Sequence, residues 1–161
     1  TFVTRKITRG VAKIALGIDK VIYLGNLDSK RDWGHAKDYV EGMYLMLQQD
    51  KPEDFVLATG NSITIREFIT RTFSKINVKI EFKGKNENEV GYVSENNGKH
   101  KIEIGQEVIK ISKKYYRPTE VDFLIGDATK AYNKLGWKPK YSVDDMIEEM
   151  LFSDIKLFDK K

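Results

Sequence analysis

Three short stretches of this 161-residue chain concentrate side chains that can handle an anionic ligand. The first, Thr1-Phe2-Val3-Thr4-Arg5-Lys6-Ile7-Thr8-Arg9, starts a helical pattern and carries several cations. The free amides and positive dipole end of a first helical turn suit a phosphate or the polar edge of a ligand. The second, Arg31-Asp32-Trp33-Gly34-His35-Ala36-Lys37-Asp38, sets an arginine just ahead of a helix. There its planar fork can give two hydrogen bonds to phosphate oxygens. The third is Tyr115-Tyr116-Arg117-Pro118-Thr119-Glu120, whose proline stiffens the backbone and holds Arg117 and Glu120 three residues apart. Each stretch also has a purely structural reading. Helical cations commonly form a solvated face, Arg31 can pair with Asp32 or Asp38, and Arg117 can pair with Glu120.

Other chemistries have no residues to support them. A dinucleotide site of the Rossmann kind needs a glycine-rich turn between strand and helix, and the twelve glycines here are scattered. Dehydrogenase-type acid–base chemistry needs a tyrosine with a lysine four positions on, and none of the eight tyrosines has one. There is no P-loop, no Gly-x-Ser-x-Gly and no His-Glu-x-x-His. His35 and His100 lack partners at metal-ligand spacing, and the absence of cysteine removes disulfides and thiolate sites. The sequence thus predicts no catalytic residue, no cofactor-binding residue and no metal site within this chain. A net charge of +4 favours an anionic ligand mildly and lacks the clustered basic footprint of a nucleic-acid binder. No apolar run approaches the roughly 20 residues needed to cross a bilayer. No nucleic-acid or membrane partner and a cytoplasmic location are the expectations.

The elements that must position these residues can be read from periodicity. Val3, Ile7, Val11 and Ile14 form an apolar helical stripe ending at Gly17, with Arg5 and Arg9 opposite and Lys6 near its border. Val21-Ile22-Tyr23-Leu24 reads as a short buried strand. Ala36, Val40, Met43 and Leu47 read as the core stripe of a second helix, and Phe55-Val56-Leu57-Ala58 as a second strand. Thr64 with Glu67 forms a capping box ahead of a helix burying Ile65, Phe68, Ile69, Phe73 and Ile76. Val78, Ile80 and Phe82 alternate with Lys79 and Glu81 as a half-exposed strand. Residues 83–114 are polar and turn-rich, with weak strand patterning at Ile102-Glu103-Ile104 and Val108-Ile109-Lys110-Ile111, and read as a loop carrying a small hairpin. Asp127 caps a short helix ending at Leu135-Gly136, and Ser142 with Asp145 opens a last helix. Few, short strands between helices predict one small α/β domain over residues 1–161. The opening inside an amphipathic helix without a methionine leads us to expect a fragment whose N-terminal partner is missing.

Taken together, in this order, these segments closely resemble GDP-mannose 4,6-dehydratases. The match rests on Thr1 to Arg9, Leu24-Gly25-Asn26-Leu27-Asp28, Lys30 to Val40, Met46-Leu47-Gln48-Gln49 and Pro52-Glu53-Asp54-Phe55-Val56. Ala58-Thr59-Gly60, Tyr116-Arg117-Pro118 with Glu120, and Leu135-Gly136-Trp137-Lys138-Pro139 complete it. Arg-Asp-x-x-His-x-x-Asp alone marks the broader extended short-chain dehydrogenase/reductase group; Trp33-Gly34-His35-Ala36-Lys37 and the opening segment are more specific.

The resemblance implies the small substrate-binding α/β domain of an extended short-chain dehydrogenase/reductase, mostly helices with short strands, with the Rossmann half absent. It implies a C-terminal nucleotide-sugar-binding region, with residues 83–114 as a loop or hairpin insertion. The family converts GDP-mannose to GDP-4-dehydro-6-deoxymannose and water, toward GDP-fucose, with tightly held NADP. Its catalytic residues would lie outside this chain, which would be inactive alone. Val3 would offer backbone contacts to guanine, Lys6, Arg31 and Arg117 would reach the GDP portion, and Glu120 would accept from the ribose hydroxyls. The implied partners are GDP-mannose, the N-terminal Rossmann half, and further copies as a dimer or tetramer. A fragment of another nucleotide-sugar dehydratase or epimerase, or a non-catalytic GDP-sugar-binding module, is the alternative.

Overall fold

A computed structural model describes residues 2–116 and 123–159. Among these residues a four-stranded mixed sheet and a two-stranded sheet pack with five α-helices, α1 (Val3–Ala15), α2 (Ala36–Leu47), α3 (Ile65–Ser74), α4 (Thr129–Leu135) and α5 (Val143–Asp159). The strands are β1 (Ile22–Leu24), β2 (Lys30–Asp32), β3 (Ser62–Thr64), β4 (Val78–Lys83), β5 (Val90–Asn96) and β6 (Glu107–Ile111). No helix among the described residues is long and apolar enough to cross a membrane.

Local signals set most helix ends. Gly17 and Gly136 follow α1 and α4 at φ +72° and +66°, a left-handed conformation that costs glycine little. Thr64 and Glu67 exchange side-chain and backbone bonds at the start of α3, and Ser142 and Asp145 do so ahead of α5. Asp127 accepts from the Thr129 amide at the start of α4.

The main sheet runs β1-β6-β5-β4, with β1 parallel to β6 and the other pairs antiparallel. Its buried side chains, among them Ile22, Leu24, Val78, Ile80, Val93, Val108 and Ile109, join one core with Ile7, Val11 and Ile14 of α1, Phe68, Ile69 and Phe73 of α3, and Ile147 and Leu151 of α5. Across the exposed face run ion pairs between Lys79 and Glu95 and between Lys110 and Glu107, and a Tyr92–Glu81 hydrogen bond. β2 pairs antiparallel with β3.

Four expectations fail here. Residues 83–114 hold more than a loop with a hairpin, because β5 and β6 are the two inner strands of the main sheet. Phe55–Ala58 is not a strand, and the second sheet comes instead from β2 and β3. Val40, Met43 and Leu47 of α2 are 63%, 57% and 82% exposed, so that stripe faces outward. Arg5, expected on the solvated side of α1, pairs with the fully buried Asp154 of α5.

Candidate functional site

Helix α1 carries the first group of proposed ligand residues. Val3 is its first residue and half-buried, and Phe2 caps it without a side-chain bond, so the first-turn amides depend on other acceptors. The helix is fixed against α5 by Asp154, which accepts from the Thr8 hydroxyl at 2.9 Å and lies 2.5 Å from Arg5. Arg5 reaches Oδ1 as an ion pair without hydrogen-bond alignment, which leaves that oxygen otherwise unbonded.

Lys6 lines a cleft of about 460 Å³ with Arg9, Gly10 and Lys13 of the same helix, Asp19, Val21–Tyr23 and Tyr115. A Cβ on Gly10 would come within 2.6 Å of Ile22, so glycine lets the helix close onto β1 at the cleft floor. The Lys6 ammonium stands 3.4 Å from the centroid of the Tyr115 ring. Burial pushes the Lys6 ammonium below its ordinary value, Tyr115 opposes that, and the like charge of Lys114 adds to it. Asp19, the carboxylate lining the cleft, is taken by Lys13 at 3.0 Å.

Arg31 lies in β2, paired with Ile63 of β3, and its Nη1 donates to the Lys30 carbonyl at 2.8 Å. It lines a second cleft of about 340 Å³ with Asp32, Trp33, Tyr39, Val56–Ala58 and Leu124–Gly126. Asp32, which shares this cleft, and Asp38 of α2 both hold backbone amides. Asp32 accepts from the Thr59 amide and hydroxyl and from the Gly60 amide. Asp38 is 1% exposed and accepts from the amides of Lys140 and Tyr141. His35 caps α2 by accepting from the Lys37 amide through Nδ1, a local task that needs no metal. No acidic or histidine cluster suited to a metal ion occurs among the described residues. Burial, then the Asp32 and Asp38 carboxylates, push the Tyr39 phenol above its ordinary value, so it stays a neutral donor.

Val3 and Lys6 therefore share a helix, whereas Lys6 and Arg31 line separate clefts. Arg117 and Glu120 lie outside the described residues. The sequence reading left Arg9, Tyr23 and Tyr115 without roles at the Lys6 cleft. The spacing of Lys6, Arg9 and Lys13 places them along one side of a helix and was the available signal.

The left-handed glycines Gly17, Gly60, Gly84, Gly105 and Gly136 follow helices or sit in loops, and the turn from β2 into α2 carries a single glycine, Gly34.

Solved structures share this fold at low sequence identity. RMD from Pseudomonas aeruginosa, complexed with NADPH, superposes with a TM-score of 0.72 at 16% identity, over 97% of this chain and 43% of its own. UDP-glucose 4-epimerase from Bifidobacterium longum, in complex with NAD+ and UDP, gives 0.62 at 22% identity over 96% and 40%. dTDP-glucose 4,6-dehydratase from Bacillus anthracis, in complex with NAD, gives 0.60 at 17% over 97% and 39%.

Residues 1–150 match the model of the GDP-mannose 4,6 dehydratase family, and the chain belongs to that family. The human GDP-mannose 4,6 dehydratase is 55% identical over 156 residues, 97% of this chain and 40% of that protein. The Yersinia enterocolitica enzyme of that name is 48% identical over 158 residues, 97% and 42%. The chain thus spans about two-fifths of the length of these curated relatives.

These matches correct the expected fold class in one part. Helices do predominate and the strands span three to seven residues, as expected. The expectation of an absent Rossmann half falls. Nearly the whole chain superposes on enzymes solved with NADPH or NAD, and a match over two-fifths of their length gives that expectation no support.

Proposed function

We propose that this chain forms the nucleotide-sugar-binding region of a GDP-mannose 4,6-dehydratase, recognising GDP-mannose through Val3, Lys6, Arg31, Arg117 and Glu120. The observation that carries this reading is the placement of Arg31. It lines a cleft with Asp32, Trp33 and Tyr39, on the strand just ahead of α2. A guanidinium there can fork onto diphosphate oxygens. Lys6 adds a second cation at the start of α1, whose first-turn amides favour anionic or polar ligand edges. A ligand with a diphosphate and a diol calls for arginine forks and a carboxylate acceptor, the role proposed for Glu120.

The family reaction is dehydration of GDP-mannose with NADP, which supplies hydride chemistry at the sugar. This sequence holds no Tyr-x-x-x-Lys pair and no glycine-rich dinucleotide turn, so the 161-residue chain alone is proposed to bind without turning over. The test titrates GDP-mannose and UDP-glucose into the chain and assays it for GDP-4-dehydro-6-deoxymannose. Preferential binding of GDP-mannose without turnover is the expected result. Equal binding of both sugars, or none, overturns the substrate assignment, and turnover overturns the inactivity.

A further inference from the structure

The cleft beside Lys6 combines cations and aromatic faces in a way the contacts above do not use up. Lys6, Arg9 and Lys13 stand along one side of α1, and Asp19, its lining carboxylate, is held by Lys13. Among the described residues, Arg9 meets the Phe158 ring at 5.2 Å and Lys6 meets the Tyr115 ring, and neither meets a carboxylate. The lining is therefore net positive. Its volume of about 460 Å³ falls within the ~300–1,000 Å³ range of small-ligand sites.

Tyr115, a residue 46% exposed, closes this cleft, although its backbone is tightly placed. The Tyr115 amide donates to the Ser112 carbonyl at 2.9 Å. A Cβ on Gly25 would come 2.2 Å from the Tyr115 carbonyl oxygen, so only a glycine after β1 lets this turn sit so close. A fixed backbone presenting an open aromatic face beside cations suits a flat ring that carries phosphates. Lys6 now covers that face with its ammonium.

We propose that Tyr115 holds the base at the nucleotide site, stacking on the purine ring once Lys6 leaves its face and turns to the phosphates. This rests on the GDP-sugar reading above. The exchange trades a cation–ring contact for a ring–ring contact and brings an ammonium to an anion. An incoming pyrophosphate without a base would gain the ammonium but nothing from the ring.

The experiment compares the wild-type chain with Tyr115→Phe and Tyr115→Leu, using GDP and inorganic pyrophosphate as probes. Stacking on an aromatic side chain predicts that Tyr115→Leu weakens GDP about tenfold or more, while Tyr115→Phe stays within about twofold of wild type and pyrophosphate binding does not fall. The guanine H8 resonance should move upfield on binding to wild type and Tyr115→Phe, and not to Tyr115→Leu. Equal GDP affinity in all three, a parallel loss of GDP and pyrophosphate, or no upfield shift with bound wild type overturns the stacking role alone. Wild type that fails to bind GDP at all overturns the underlying nucleotide reading.

Discussion

Replacing Arg31 with alanine separates substrate recognition from structural support. Arg31 is half-buried in β2, and its Nη1 bond to the Lys30 carbonyl is a local contact within its own strand. That bond contributes about 0.5–1.5 kcal/mol net to folding, and the further contacts of Arg31 add to what its removal costs. Asp32 and Asp38 keep their backbone partners without it, since Asp32 is held by Thr59 and Gly60 and Asp38 by Lys140 and Tyr141. Truncating a guanidinium that forks onto a bound diphosphate costs more, about 2–4 kcal/mol of binding, or roughly 30- to 1,000-fold in Kd. Arg31→Lys should restore part of this, because an ammonium keeps the charge and loses the planar fork. Calorimetric titration of GDP-mannose beside a denaturant melt of each variant reads both quantities. A lowered midpoint with unchanged affinity per folded molecule would refute the assignment and return Arg31 to a structural role.

Asp154→Ala should destabilise the fold by about 1–3 kcal/mol, because it strips the Thr8 hydroxyl and Arg5 of a fully buried acceptor; an unchanged denaturation midpoint would contradict this. The Thr64 amide holds the Glu67 carboxyl below its ordinary value of 4.5; burial opposes it, and the Thr64 hydroxyl, Arg71 and Lys30 add to the lowering. A depressed carboxyl contributes stability that is complete above the unfolded value and is lost as pH falls through the folded one. Stability should therefore decline below about pH 4.5, and Glu67→Gln should flatten that decline in melts run from pH 7 to pH 3; identical slopes would exclude Glu67 as a source. Val40, Met43, Tyr44 and Leu47 leave an apolar stripe on α2 open to solvent, a kind of patch that promotes association. Sedimentation should show concentration-dependent self-association that Met43→Glu with Leu47→Glu reduces, with little change in the melting midpoint, and a strictly monomeric wild type would count against this.

The capped helices were legible because each signal is local. Thr64 with Glu67, Ser142 with Asp145, Gly17 and Gly136 act within a turn of the backbone they terminate. The orientation of α2 was not legible, because an apolar stripe does not say which side a domain covers. Here Asp38 is buried by the amides of residues 140 and 141, and Gly42 lets Leu57 and Trp137 approach the opposite face. β5 was missed because Val90-Gly91-Tyr92-Val93-Ser94-Glu95-Asn96 alternates weakly and owes its strand to β4 and β6 on either side. Phe55–Ala58 has strand-like composition and no ladder partner among the described residues. At the site, the types of Lys6 and Arg31 were readable from sequence, but their separate clefts, and the Tyr115 ring under Lys6, depend on tertiary contacts.

The claim that this chain recognises a GDP-sugar is tested most directly by following the backbone amides of the labelled chain during titration with GDP-mannose. The account predicts saturable shifts concentrated in Phe2–Lys6 and around Arg31, with UDP-glucose producing much smaller ones at the same concentration. Shifts confined to other surfaces, or equal responses to both nucleotide sugars, would contradict it.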